Sequence, residues 1–294
     1  MNNSSDVKTA ILKTLAYREV FEYPLTFYQL YVYLISQEPV PFDDFKEELR
    51  NLLTEKKIFY LDGYFHTGDS EVVRKRKENE TASLAHLEKA KNVAAKISKI
   101  PWVKFVGVTG AVSAGNAPAQ DDIDLFIVSS SGKVWTTRFF VVLLLKVLGL
   151  YRSDKSPYGK FCPNLFVQED SLFWGNAISV YIAHEIYMMV PVFDRSEYYF
   201  RFLSENPWTK DFLPHVKYQK LDDIVFPTKR IDFVEKIFRN LQLWYMRKKI
   251  TNEVTTDKVI HFKRDDNSGW IQASFSKKFK ELTAESKTPK LTIN

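Results

Sequence analysis

Cysteine is almost absent from this chain. A single Cys162 among 294 residues excludes an intrachain disulfide and any cysteine-rich zinc module. Long apolar runs are absent as well. The longest, 139–150, is interrupted by Lys146 and falls short of the roughly 20 residues a membrane-spanning helix needs, so a buried helix is expected there. Residues 1–9 are polar with no apolar core, unlike a signal peptide. A cytoplasmic protein with no membrane partner is therefore expected. Glycine is scarce too. There are 10, about half of the usual ~7%. Yet Gly107, Gly110 and Gly115 fall close together, which implies a backbone reason for that cluster.

The net charge is +6, a balance that favours anionic partners such as nucleic acid or nucleotides. The length suits about two domains of ~150 residues. Four regions are expected: 1–69, a connecting helix at 70–98, a core at 99–195 and a helical region at 196–294 with a frayed tail. In the first, Val7, Ile11, Leu12 and Leu15 have helical spacing. Thr26 can cap a second helix, and Asp43 or Asp44 a third. An Asp62-Gly63 turn then joins two aromatic runs, a strong hairpin signal. Three helices and a hairpin resemble a winged helix, a shape whose third helix enters DNA in helix-turn-helix relatives. Here that helix, 44–57, is rich in acids, a poor surface for phosphate contact. The basic run Arg74-Lys75-Arg76-Lys77 reads as a solvated face, with nucleic-acid contact as its alternative.

The chemistry concentrates in the core. A strand expected at 102–108 runs into Thr109-Gly110-Ala111-Val112-Ser113-Ala114-Gly115, and a second strand follows from Asp122-Ile123-Asp124. No Lys-[Ser/Thr] follows the glycines as a P-loop requires, and the dinucleotide fingerprint is also missing. Residues two apart on a strand share a face, so Asp122 and Asp124 project together from an apolar strand. Two such carboxylates are costly unless a cation binds them. Hard oxygen donors favour Mg²⁺ or Mn²⁺. The glycine-containing turn can present backbone N–H groups to a phosphate, and Gly107, within the strand, reads as close packing.

These residues resemble the DNA polymerase β-like nucleotidyltransferase superfamily. Gly110-Ala111 precedes Asp122-Ile123-Asp124 by that family's spacing, and Gly110-Ala111-Val112-Ser113-Ala114-Gly115 resembles its Gly-Ser-x-Ala-x-Gly. The resemblance implies an α/β (α+β) fold with a small mixed sheet over 99–194 and flanking helices. It also implies an NTP substrate, metal ligands at Asp122 and Asp124, and nucleotide contacts from Thr109, Gly110, Ala111, Ser113 and Gly115. The acceptor could be RNA, protein or a small molecule. Ala111 stands where relatives carry serine, so Thr109 or Ser113 would supply a hydroxyl, or backbone N–H groups would serve. The usual third acid would fall on the strand at 160–167, where Cys162 and Asn164 share a face. Asn164 can bind but cannot act as a base. Glu169 or Asp170 could reach in instead. A second reading is a catalytically impaired nucleotide- or nucleic-acid-binding module or regulator on the same fold.

Other residues fit structural roles or weaker site roles. Pro163 implies an edge strand or a bulge. Arg138, Arg152, Lys155 and Lys160 are candidate phosphate ligands. His184-Glu185 lacks the second histidine of a zinc-protease motif and reads as a core histidine. Trp208, Phe233, Ile237, Leu241 and Trp244 read as core.

Overall fold

A computed structural model of the chain describes residues 4–153, 158–175, 178–217, 233–247, 254–261 and 268–284. It is a mixed α/β protein with one three-stranded and one six-stranded sheet. Two units pack internally. The first comprises Met1–Arg76, Leu213–His215 and Asn267–Asn294, and the second Lys77–Phe212 and Val216–Asp266.

In the first unit, α1 (Ser4–Glu19) buries Val7, Ile11, Leu12 and Leu15 at the expected helical spacing. Strand β1 (Leu25–Thr26) leads into α2 (Phe27–Val32). There the Thr26 hydroxyl accepts the Gln29 N–H and the Gln29 side chain accepts the Thr26 N–H, a reciprocal cap. Helix α3 (Phe42–Thr54) differs from expectation at its start. Pro41 is the capping residue, and Asp43 and Asp44 lie in the first turn, where their charge complements the helix dipole. Strands β2 (Phe59–Leu61) and β3 (Tyr64–His66) form the hairpin, with β1 added beside β3. Its Asp62 and Gly63 both have positive φ.

Helix α4 (Glu71–Ile97) contributes its start to the first unit. The basic run is partly consumed there. Arg74 pairs with Glu71, Lys75 lies 3.1 Å from Glu22, and Arg76 is buried over the Tyr23 ring.

The second unit is built on a sheet. Strand β4 (Val103–Thr109) turns through the short α5 (Gly110–Ser113) towards β5 (Ile123–Ser129). Helix α6 (Val134–Val147) crosses to β6 (Phe161–Gln168). Then come α7 (Val180–Met188), β7 (Val190–Asp194), α8 (Tyr198–Glu205), α9 (Phe233–Met246), β8 (Val254–Thr255) and β9 (Val259–His261). The strand order is β7-β4-β5-β6-β9-β8. β5 and β6 run parallel and the other neighbours antiparallel, as a helical crossover requires.

Alternation along the strands separates two faces. Ile123, Leu125 and Ile127 join a core with Val106, Trp135 and Leu145. Phe126, on the opposite face, meets Phe202 and Trp174. Asp124 shares the face of Phe126 by the period of two. The crossover helix is held by a distant carboxylate. Glu235 of α9 accepts the Trp135 and Thr136 N–H groups at 2.6 and 3.0 Å, satisfying donors that a helix start leaves without partners.

Helix α9 corrects one expectation. Phe233, Ile237, Leu241 and Trp244 are exposed, while its buried face carries Glu235, Gln242 and Met246. Trp208 is buried as expected. The last helix, α10 (Ser268–Thr283), belongs to the first unit, where Phe275 meets Tyr17 edge-on. Lys155, Asn176, Lys248, Lys249 and the tail beyond 284 lie outside the described residues. No helix among the described residues is long and apolar enough to cross a membrane.

Candidate functional site

The glycine turn and the aspartates meet at one end of the sheet. Thr109, the last residue of β4, stands opposite Asp124 in the antiparallel ladder. Gly110 follows with φ +68°. A Cβ there would lie 3.0 Å from Asp124 Oδ2, so any larger residue would be strained in its backbone and would crowd the carboxylate. Gly115 closes the turn at φ +69°. Ala111 is exposed, and the Ser113 hydroxyl donates to the Gly110 carbonyl at 2.9 Å. Gly107 has the packing role expected, since its missing Cβ would sit 2.7 Å from Met189 Sδ.

Helix α4 anchors the segment between turn and aspartates. Ser83 Oγ accepts the Ala117 N–H at 3.0 Å, and the Asn79 amide reaches Asn116.

Asp122 precedes β5 by one residue and Asp124 lies within it. Asn164 donates to Asp124 Oδ1 at 2.9 Å. Its position follows from a register shift. Leu125 pairs with Pro163 and Phe126 with Leu165, so Asn164 is the extra residue. The bulge expected at Pro163 is present, in an inner strand. β9 pairs with β6 only over Leu165, Phe166 and Val167, so the missing Pro163 N–H breaks no bond to it.

Arg152 faces the same carboxylates. Its Nη1 lies 2.8 Å from Asp122 Oδ2. That oxygen is covered from solvent yet makes no hydrogen bond, so the contact is an ion pair without hydrogen-bond alignment. Cys162 stands opposite Asp124 in the parallel ladder and accepts from Arg152 Nη1 at 3.9 Å. Burial, and then the charges of Asp124 and Asp122, push its thiol up to about 12.

Asp124 is the most perturbed acid here. Burial, and then the charges of Asp122, Glu185 and Asp121, push it up to about 7 against the opposing pull of Arg152. Burial also raises Asp121. Buried carboxylates that repel one another gain from a cation between them. The covered Asp122 oxygen and the carboxylate donors fit a hard divalent ion such as Mg²⁺ or Mn²⁺. The residues that could hold such an ion are Asp122 and Asp124, with Cys162 beside them.

Two expected third acids lie elsewhere. Glu169 and Asp170 follow the far end of β6, where the Glu169 N–H donates to Ser129. The parallel strands separate them from Asp124 by roughly 20 Å at ~3.3 Å per residue. Glu169 accepts the Tyr198 hydroxyl at 2.6 Å, and Asp170 pairs with Lys258. Among the candidate cations, Arg138 is buried against Gln242, and Lys160 donates to the Gly149 carbonyl. Arg152 alone of those described is placed at the aspartates by a direct contact.

Glu185, weighed in the sequence only as half of an incomplete zinc-protease motif, is a further acid whose charge acts on Asp124. Its helix leads through Met189 into β7, which pairs with β4 at Val108. That route brings it towards the glycine turn. An isolated acid in the apolar stretch Val180-Tyr-Ile-Ala-His-Glu185-Ile-Tyr-Met188 is the signal that could have found it. Its neighbour His184 is buried and bonds to the Val180 carbonyl, the core role expected.

No family model, curated protein or solved structure matches the chain.

Proposed function

We propose that this protein is a Mg²⁺- or Mn²⁺-dependent nucleotidyltransferase acting in the cytoplasm on an NTP. It would transfer a nucleoside monophosphate to a hydroxyl of RNA, a protein or a small molecule. The single observation that carries this reading is the close approach of the Gly110 turn to a partly buried aspartate pair, with Gly110 fitting 3.0 Å from Asp124 Oδ2 by lacking a Cβ.

Asp122 and Asp124 would hold the cation, which supplies Lewis-acid neutralisation of the phosphate oxygens. Within the turn from Thr109 to Gly115, the N–H groups of Ala114 and Gly115 bond to the Gly110 and Val112 carbonyls, so the triphosphate would be taken on the backbone at the start of α5, with Ala111 at its exposed rim. Arg152, beside Asp122, would steady the phosphate charge. Asn164 orients Asp124 through its amide and takes no proton. In the transfer, the acceptor hydroxyl gives up its proton to solvent as its oxygen bonds to the α-phosphorus. The bond to the bridging α–β oxygen breaks, and pyrophosphate leaves.

A second reading is a nucleotide- or nucleic-acid-binding module without turnover. The amide of Asn164 against Asp124, where the family resemblance leads one to expect an acid, favours it.

The test incubates the full chain with Mg²⁺ or Mn²⁺, labelled NTPs and a panel of acceptors, beside an Asp122→Ala/Asp124→Ala variant. Label transfer that falls about 10²–10³-fold in the variant supports the enzyme, since a lost cation site costs several kcal/mol of transition-state stabilisation. NTP binding without transfer supports the module. Absence of NTP binding, of transfer and of binding to an RNA acceptor contradicts both.

A further inference from the structure

The chain's one cysteine sits against the carboxylate pair. Asp122, Asp124 and Cys162 each offer a ligand atom, and these atoms lie within 4.8 Å of one another. A thiol alone in a core would carry no such meaning. Here Arg152 Nη1 already rests between carboxylate and thiol, 2.8 Å from Asp122 Oδ2 and 3.9 Å from Cys162 Sγ. The Asp122 oxygen is covered and without a hydrogen bond. A cationic atom therefore marks the position on which an oxygen and a sulfur converge.

We propose that Asp122, Asp124 and Cys162 form a mixed carboxylate–thiolate site for a borderline-soft divalent cation of the Zn²⁺ class, which takes the place of the Arg152 guanidinium and competes with the hard cation. The inference rests on the proposed function only in that the aspartates bind a cation. Its basis is ligand chemistry. Zn²⁺ accepts thiolate and carboxylate together in a four-coordinate shell. Mg²⁺ takes oxygen ligands in octahedral geometry and gains little from sulfur. Cys162 thus sets which ion the site prefers and exposes the hard-ion reaction to inhibition by a softer one. On binding, the S–H bond breaks, the proton passes to solvent and the sulfur keeps its electron pair for the metal. Nothing is oxidised or reduced.

Because the chain holds a single cysteine, any thiolate-to-metal charge-transfer absorption reports Cys162. The full chain is titrated with Cd²⁺ as the probe ion and followed in the ultraviolet. The expected result is a band that saturates at one ion per chain, absent from Cys162→Ser. It shifts to at least about tenfold higher Cd²⁺ concentration in Asp122→Asn or Asp124→Asn, because lost contacts around a metal cost 10–100-fold in affinity. Mn²⁺ binding, read by paramagnetic resonance, stays within about threefold of wild type in Cys162→Ser, as an oxygen-seeking ion requires. That binding also shows the variant is folded at the site. If wild type binds Mn²⁺ but gives no Cd²⁺ band, the thiol inference is overturned and the aspartate site stands. A band of unchanged midpoint in both aspartate variants overturns the mixed site. Failure of both ions to bind wild type overturns the inference together with the cation reading on which it rests.

Discussion

Two acids in the second unit, Glu235 and Asp124, have opposite surroundings. Glu235 is 1% exposed and accepts two backbone N–H groups at 2.6 and 3.0 Å and the Thr136 hydroxyl at 2.5 Å. Asp124 is also enclosed, but it accepts one amide from Asn164 and faces the charges of Asp122, Glu185 and Asp121. The acid with the structural role is the more deeply buried of the two, so burial by itself does not mark a site. The difference lies in what the carboxylate meets. Donors aimed at Glu235 make it a structural joint between α9 and the start of α6. Acids aimed at Asp124 leave a demand for positive charge, which Arg152 meets in part through Asp122.

The comparison can be broken by substitution. Glu235→Ala strips partners from two backbone donors at a buried helix start. Its expected effect is a loss of about 3 kcal/mol in stability, read by denaturant unfolding, with Mn²⁺ affinity unchanged in the folded fraction. A weakened Mn²⁺ affinity at unchanged stability would mean that Glu235 serves the site after all.

Gly110→Ala has a smaller expected effect. Its φ of +68° costs a side chain about 1–2 kcal/mol, and the new methyl displaces Asp124. Stability falls by that amount and Mn²⁺ affinity falls with it. Mn²⁺ binding at the wild-type level would separate the turn from the carboxylates.

Much of this contrast was legible in residue order. The spacing of Gly110 and the aspartates marked the site, and the alternation of Ile123, Leu125 and Ile127 placed Asp124 on the opposite face. Thr26, the Asp62-Gly63 hairpin and the bulge beside Pro163 are equally readable, because each is fixed by neighbours a few residues away. The misreadings concern partners distant in sequence. Glu169 is five residues beyond Asn164, yet β6 carries it to the far end of the sheet beside Ser129. Glu185 is much farther along the chain, yet pairing of β7 with β4 returns it towards the turn. The apolar stripe of α9 looked like core, but the helix packs inward through Glu235 and Gln242 because those side chains meet the backbone of α6. Nothing local in the sequence announces that Glu235 and Gln242 will share the inward face with Phe238, Leu243 and Met246.

The measurement that bears most directly on the central claim is the thermal midpoint of wild type and Asp124→Asn, each with and without Mn²⁺. The variant keeps an oxygen for the Asn164 amide while removing a buried charge. The expected result is a midpoint without metal at least equal to that of wild type at pH 8, since a buried carboxylate among acids is lost. Mn²⁺ at about 100 times its wild-type Kd should stabilise wild type by ~2.7 kcal/mol and the variant, at tenfold or more weaker binding, by no more than ~1.4 kcal/mol. A variant that loses stability as Glu235→Ala does, or that responds to Mn²⁺ like wild type, would contradict the assignment of Asp122 and Asp124 as a cation site.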